Sequence, residues 1–205
     1  MATVYDLKSR FQDLLRPLLR RMAAAGITAN QVTLAALALS VMAGLAIVLW
    51  PEAGLPLALL PLVLFARMAL NAMDGMLARE HHQQSALGAV LNELGDVVSD
   101  LALYLPFALV PGVSAMAVVG LCLLAVISEM SGVVGIQIGA SRRYDGPLGK
   151  SDRAVLFGTL GLLLGIDLIG PAFANWVLAI ALLPGALTIF NRARKALAEV
   201  REGRP

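Results

Sequence analysis

Asp74, Asp96 and Asp100, with the carboxamides Asn71 and Asn92, fall in two stretches otherwise apolar enough to cross a bilayer. These are N-A-M-D-G-M-L-A-R at 71–79 and G-A-V-L-N-E-L-G-D-V-V-S-D at 88–100. Ionisable side chains are costly in hydrocarbon, so a cluster of them is a functional site by default. Residues three or four apart share a helical face, which joins Asn71 to Asp74. Gly88, Asn92, Asp96 and Asp100 recur in four-residue steps and drift by about 40° per step, so they line one broad stripe. The short loop through Glu80, His81, His82, Gln83 and Gln84 turns the chain back and lets the two stripes face each other. Oxygen donors from two helices, with neither Cys nor His on these faces, suit a hard divalent cation, Mg²⁺ or Mn²⁺, better than zinc. Gly75 and Gly88 leave room for a close backbone or a bulky phosphate. Small and polar residues also glue membrane helices together, but glue rarely needs several carboxylates. His81 and His82 read as loop residues, and Ser85 as a cap for the second helix.

A second concentration of charge is the segment 141–153, S-R-R-Y-D-G-P-L-G-K-S-D-R. Arg142, Arg143, Lys150 and Arg153 have two readings: charges that fix membrane topology, or a clamp for phosphate. Arginine meets phosphate oxygens in bidentate fashion and lysine acts as a compact point charge. As a clamp they would hold a phosphorylated acceptor or a lipid headgroup. Arg67, four residues before Asn71, lies too deep in its apolar stretch to be a loop charge and needs a carboxylate or a phosphate. Glu129 poses the matching question. It either pairs with Arg67 or, with Ser128 and Ser131, lines an acceptor pocket.

The elements that must carry these groups are membrane helices. Apolar residues make up 59% of the 205-residue chain and charged residues 15%, with a mean hydropathy of +0.79, far from the composition of a soluble domain. Apolar runs of roughly 20 residues, the length that spans a hydrocarbon core, fall near 32–50, 55–77, 87–110, 113–139, 153–169 and 172–191. The fold expected is all-α: a bundle of six transmembrane helices behind an interfacial amphipathic helix. The loops near 80–86 and 140–152 and both termini are basic and the alternate turns are not, which places termini and basic loops in the cytoplasm. Val4, Leu7, Phe11, Leu14, Leu15, Leu18 and Met22 recur at helical spacing opposite Lys8, Asp13, Arg16 and Arg20, as in a helix lying on the membrane, with a kink or two short helices expected at Pro17. Thr28 or Asn30 is placed to cap the next helix. With no repeat or linker, 1–205 reads as a single membrane domain: an amphipathic helix over 4–24, a six-helix core over 30–194, and a cytoplasmic tail over 195–205, the charged segment from Arg192 onward being a short helical extension that frays. No signal-peptide pattern opens the chain, so maturation is expected to leave Met1 near the start. The lone Cys122 reads as a buried residue, excluding an internal disulfide. The net charge of +2 points to anionic membrane lipids and not to nucleic acid.

The polar stretch resembles the signature of the CDP-alcohol phosphatidyltransferases, D-x-x-D-G-x-x-A-R, eight residues, G-x-x-x-D-x-x-x-D. It matches at Asp74, Gly75, Ala78, Arg79, Gly88 and Asp96, with every interval kept. The six spans, the amphipathic helix, the I-T-A-N-Q-V-T segment at 27–33 and the basic loop extend the likeness over nearly the whole chain. The resemblance implies that an alcohol attacks the lipid-side phosphorus of a CDP-linked lipid, usually CDP-diacylglycerol, and that CMP leaves. It further implies a homodimer in the cytoplasmic (inner) membrane and a cavity open to the cytoplasm. One or two divalent ions would be held at Asn71, Asp74, Asn92 and Asp96, with Asp96 as general base. Gly75, Ala78, Arg79 and Gly88 would border the CDP moiety, with Asn30 and Thr33 at its nucleotide end. A glycine and a lysine before span five also match, at Gly149 and Lys150.

Asn71 and Asn92 stand where the family has aspartate, so the aligned tetrad carries −2 in place of −4. Each missing charge removes on the order of 4 kcal/mol of attraction at about 4 Å and an effective dielectric near 20, before desolvation. Asp100 in preference to Glu93, or the substrate's own pyrophosphate, is expected to offset the deficit. Two rival classes remain: a lipid- or nucleotide-binding relative without transfer activity, and a small ion transporter. The position of the polar residues near the cytoplasmic side disfavours the transporter.

Overall fold

The computed structural model describes residues 4–203, with side chains described from Phe11 onward. The start at Met1 and the side chains of Val4, Leu7 and Lys8 therefore lie outside the described residues. The elements are α1 (Val4–Ala24), α2 (Ala29–Leu49), α3 (Gly54–Ala58), α4 (Leu60–Glu80), α5 (Ala86–Tyr104), a 3-10 turn at Leu105–Leu109, α6 (Ala115–Gln137), α7 (Lys150–Gly165) and α8 (Pro171–Arg201). There is no strand among the described residues.

Helices occupy all six apolar runs, and four of them, α2, α4, α6 and α8, are long and apolar enough to cross a membrane. The other two fall short for separate reasons: α5 carries Glu93, Asp96 and Asp100, and α7 has only 16 residues. Met42, Phe65, Met130, Trp176 and Leu183 project outward, an apolar exterior suited to hydrocarbon. Cys122 is buried and free.

Prolines account for two departures from the expected boundaries. The run 55–77 is divided into α3 and α4, with Pro56 and Pro61 on either side of the break at Leu59. The run 87–110 leaves α-helical geometry after Tyr104 because Pro106 cannot donate the next helical hydrogen bond. At Pro17 the helix does not divide into two: α1 continues through it as one helix.

The chain divides into two compact units. The first comprises Met1–Met42 and Leu62–Ser99. Its core joins Leu19 of α1 to Ala29 and Val32 of α2 and to Met73, Met76 and Leu77 of α4. Leu15 and Met22 of α1 pack against that core, whereas Leu14 and Leu18 remain exposed, so the apolar face of α1 serves two surroundings. Gly26 ends α1 with φ +76, a left-handed conformation that costs glycine little, while Ile27 N–H donates to the Met22 carbonyl at 3.0 Å.

The second unit comprises Ala43–Pro61 and Asp100–Pro205. Tyr104 stacks on Phe157 at 4.3 Å between ring centroids, and Phe107 meets the same ring edge-on at 5.2 Å. Added methyl groups at Gly54 and Gly165 would strike each other's segments, so glycine at both sites lets α3 and α7 approach backbone to backbone. The charged tail is helical, as expected: α8 continues to Arg201, and Arg192 is 1% exposed.

Candidate functional site

Local hydrogen bonds in the first unit fix the ends of three helices around one cavity. Thr28 caps α2 by a reciprocal pair: its Oγ1 accepts from Gln31 N–H at 3.3 Å, and Gln31 Oε1 accepts from Thr28 N–H at 2.9 Å. Asn30 is thereby left to face the cavity. Between α4 and α5, His82 takes a positive φ of 55° and Gln83 N–H donates to the Ala78 carbonyl at 3.1 Å, a helix-ending turn. Gln83 Oε1 accepts from Ala29 N–H at 2.7 Å, tying this turn to the start of α2. Ser85 Oγ accepts from Gly88 N–H at 2.9 Å and caps α5.

The cavity so framed measures about 470 Å³ and is bordered by Asn30, Thr33, Asn71, Asp74, Gly75, Ala78, Arg79, Gly88 and Asn92. Ala29, Gln83, Gln84, Ser85 and Ala89 complete its wall. The helical spacing read from the sequence thus brings most of the expected metal- and CDP-binding positions to one space. Gly88 leaves room for the Asn30 carboxamide, since a Cβ there would lie 2.9 Å from Asn30 Oδ1 and make that side chain shift. Asp74 is 4% exposed and accepts from Thr33 Oγ1 at 2.8 Å.

Asp96 does not border the cavity; it sits at a junction of hydrogen bonds. Asn71 Nδ2 donates to Asp96 Oδ1 at 3.1 Å, and buried Arg67 donates from Nη2 to the Asp96 backbone carbonyl at 3.1 Å. The same guanidinium lies 3.5 Å from Asp96 Oδ1. The carboxylate that Arg67 required is therefore Asp96, and Asn71 supplies a donor where aspartate would supply a charge. Two carboxylates and two carboxamides form an all-oxygen donor set, the kind a hard cation takes. No group of three or more His, Cys, Asp and Glu side chains arranged to hold a metal occurs among the described residues. Glu93 is half-buried on α5 and outside the cavity wall. His81 and His82 are exposed.

Asp100 belongs to the second unit, where buried Arg153 donates to it at 3.0 Å. Its charge therefore faces a buried guanidinium, a partner the spacing did not point to. Three arginines also converge on Glu129: Arg153 at 3.0 Å, Arg142 at 3.2 Å and Arg192 at 3.3 Å. Glu129 is thus partnered by three arginines within its own unit. Ser128 takes part as well, accepting from Arg153 at its hydroxyl and from Arg192 at its carbonyl.

A second group of charges ties the basic loop to α8. Arg143 binds Asp145 at 2.6 Å and Glu199 at 2.7 Å, and Lys195 binds Asp145 at 2.6 Å. Burial works against the charge on Asp145, but hydrogen bonds from Lys195 and Arg143 outweigh it and hold the carboxyl below the usual aspartate range. The hydrogen bond to Asp145 correspondingly raises Arg143 above the ordinary arginine value. Lys150 is half-buried at the start of α7. The sequence reading missed Arg192, Lys195 and Glu199; their steps of three and four residues mark one helical face and were the available signal.

The sequence matches the family model described as CDP-alcohol phosphatidyltransferase over residues 26–188. It is 47% identical over 195 residues to inner membrane protein YnbA of Escherichia coli (strain K12), covering 95% of this chain and 96% of that protein. Among solved structures, it resembles the phosphatidylinositol phosphate synthase PgsA1 of Mycobacterium tuberculosis with CDP-DAG bound, at a TM-score of 0.75 and 19% identity over 88% of this chain and 92% of that one. PgsA1 in complex with manganese and citrate gives a TM-score of 0.75 at 18% identity, over 88% of each chain. At these identities the structural likeness concerns the fold.

Proposed function

The chain belongs to the CDP-alcohol phosphatidyltransferase family, and from that premise we propose that it moves a phosphatidyl or related substituted phosphate from a CDP-linked lipid to a small alcohol. CDP-diacylglycerol is the donor we favour, and CMP is the leaving group. The observation that carries this reading is the cavity on which Asn30, Thr33, Asn71, Asp74, Gly75, Ala78, Arg79, Gly88 and Asn92 converge. A protein of the same fold with CDP-DAG bound supports the choice of donor.

Asp74 and Asp96, with the carboxamide oxygens of Asn71 and Asn92, would hold Mg²⁺ or Mn²⁺. The ion would supply Lewis-acid stabilisation of the pyrophosphate, and the manganese complex of a fold neighbour supports that assignment. Arg79, with the glycine-lined wall at Gly75 and Gly88 and the nearby Ala78, receives the CDP moiety. Asn30 and Thr33 close its nucleotide end. Asp96 accepts the hydroxyl proton of the alcohol as its oxygen bonds to the lipid-side phosphorus and the bond to CMP breaks. Arg67 and Asn71 hold Asp96 in place for that transfer. Because Asp100 is matched with Arg153, the donor's pyrophosphate is the better candidate for completing the charge around the ion.

On this reading, 1–205 is one membrane domain with six spans, α1 lies at the interface among anionic lipids, and both termini and the cavity face the cytoplasm. The inner membrane is the location, as for the Escherichia coli relative, and a homodimer is the assembly. The alcohol is assigned to the basic loop and its partners on α6 and α8. The alternative, a lipid- or nucleotide-binding protein without transfer activity, is favoured by one observation: Asn71 spends an amide N–H on Asp96. Incubation of purified protein with CDP-diacylglycerol, Mg²⁺ or Mn²⁺ and a panel of alcohols separates them. Metal- and alcohol-dependent CMP release that disappears in Asp96→Asn supports transfer; donor binding without release supports the alternative.

A further inference from the structure

The cavity of the first unit is rich in polar groups and poor in charge. Among the described residues that border it, Asp74 and Arg79 are the charged ones, while Asn30, Asn71, Gln83, Gln84 and Asn92 bring carboxamides. Asp74 receives a hydrogen bond from Thr33 Oγ1 at 2.8 Å. The Arg79 guanidinium lies along the glycine wall, where a Cβ on Gly75 would meet its Nη1 at 3.2 Å. Outside the wall, Asp96 Oδ1 accepts from Asn71 Nδ2 at 3.1 Å and lies 3.5 Å from Arg67 Nη2. All of these groups belong to the one unit.

Asp74 and Asp96 are therefore opposed by Arg79 and Arg67, and the four charges cancel. Glu80 is engaged by Arg16 at 3.4 Å, and Glu93 lies outside the wall. Asn71 and Asn92 offer oxygen without charge, and the affinity of an oxygen site for a hard cation follows the charge of its ligands as well as their number. A single divalent ion would give this neutral group its own double positive charge. A pyrophosphate diester matches that charge, because each of its phosphates keeps one ionised oxygen. A second ion would leave a double positive excess even with the donor in place. Two divalent ions also repel each other roughly four times as strongly as two single charges at the same distance. Asp96 has one of its two carboxylate oxygens engaged by Asn71 and Arg67, which works against its sharing both between two ions.

We propose that this chain holds one divalent ion and not two, and that it holds the ion firmly only together with the pyrophosphate of its donor. This rests on the transferase reading above and deepens it. The carboxamides at Asn71 and Asn92 make the donor itself a charged ligand of the ion, so donor and ion bind as mutually dependent partners.

Mn²⁺ is the probe for the test. The full chain, purified in detergent, is titrated with Mn²⁺ in the absence of alcohol, with and without saturating CDP-diacylglycerol. Loss of the free-ion EPR signal counts bound ions, after subtraction of donor micelles without protein. With donor, binding is expected to saturate at one ion per chain. Without donor, the affinity for Mn²⁺ is expected to be weaker by about tenfold or more. Reciprocity requires Mn²⁺ to tighten donor binding by the same factor, which gives a second measure of the coupling. Asn92 is exposed on the cavity wall, and Asn92→Asp should bind Mn²⁺ about tenfold or more tightly than the wild type when donor is absent. An unchanged affinity in that variant would overturn the proposal. Two ions per wild-type chain would also overturn it, as would equal affinity with and without donor, and these wild-type results decide even if the variant does not fold. CMP release with alcohol added is measured in parallel. Release at two ions per chain would leave the transferase reading standing, whereas bound donor with neither bound ion nor CMP release would overturn both.

Discussion

Replacing Arg67 by Gln should slow the transfer step while leaving capture of the CDP-linked donor nearly unchanged. Arg67 is 3% exposed and borders no part of the cavity, but its Nη2 lies 3.1 Å from the Asp96 carbonyl and 3.5 Å from its carboxylate. At that ion-pair distance and an effective dielectric near 20, the gross attraction is about 5 kcal/mol. Asp96 retains 28% side-chain exposure, and competition with water reduces the net worth of a charge-assisted bond to about 1.5–3 kcal/mol. If that whole energy goes into orienting Asp96 in the transition state, kcat should fall by roughly 10- to 150-fold. Steady-state CMP release over a range of donor concentrations measures the effect as a split: kcat falls and the donor KM stays within about twofold. Arg67→Lys, which keeps the charge but loses the planar fork, should recover part of the loss. A raised donor KM with kcat intact would refute the positioning role, as would full activity in Arg67→Gln.

Arg153→Met leaves Asp100 and Glu129 short of a buried partner, and should cost about 3–5 kcal/mol of stability. Thermal unfolding in detergent checks this, and Arg153→Met combined with Asp100→Asn should regain part of the loss. Gly88→Ala places a methyl 2.9 Å from Asn30 Oδ1, so the cavity narrows and the donor KM should rise severalfold with a smaller change in kcat; an unchanged KM would remove Gly88 from the CDP wall. Asp145 has a depressed folded-state pKa, so its stabilising effect is complete above the unfolded value of about 3.9 and fades as pH falls through the folded value. The stability difference between wild type and Asp145→Asn should therefore be constant near neutrality and shrink below about pH 4. A difference that grows with acidification would contradict this sign.

Local periodicity carried most of what the sequence disclosed. The positions on α4 and α5 that border the cavity obey three- and four-residue spacing, and the caps at Thr28 and Ser85 follow from side-chain chemistry within one helical turn. Proline chemistry likewise accounts for the end of α5 before Pro106, although only the structure shows the 3-10 turn that follows. Partner choice is a different kind of information. Nothing in the spacing assigns Arg67 to Asp96, or Arg142, Arg153 and Arg192 to Glu129, because those pairs depend on which helices pack together. The C-terminal segment illustrates the difference. Its helical extension past the last apolar run was legible, whereas the burial of Arg192 and the pairing of Lys195 and Glu199 depend on what α8 packs against.

The cavity walled by α2, α4 and α5 is proposed to serve phosphoryl transfer from a CDP-linked lipid with Asp96 as base. Its most direct test is CMP release from CDP-diacylglycerol by the purified chain and by Asp96→Asn, each with and without divalent metal and an alcohol acceptor. The account predicts release by the wild type only when both metal and alcohol are present, and none above background from Asp96→Asn although it still binds the donor. Wild-type protein that binds CDP-diacylglycerol yet releases no CMP with any alcohol would contradict it, as would an Asp96→Asn variant with undiminished turnover.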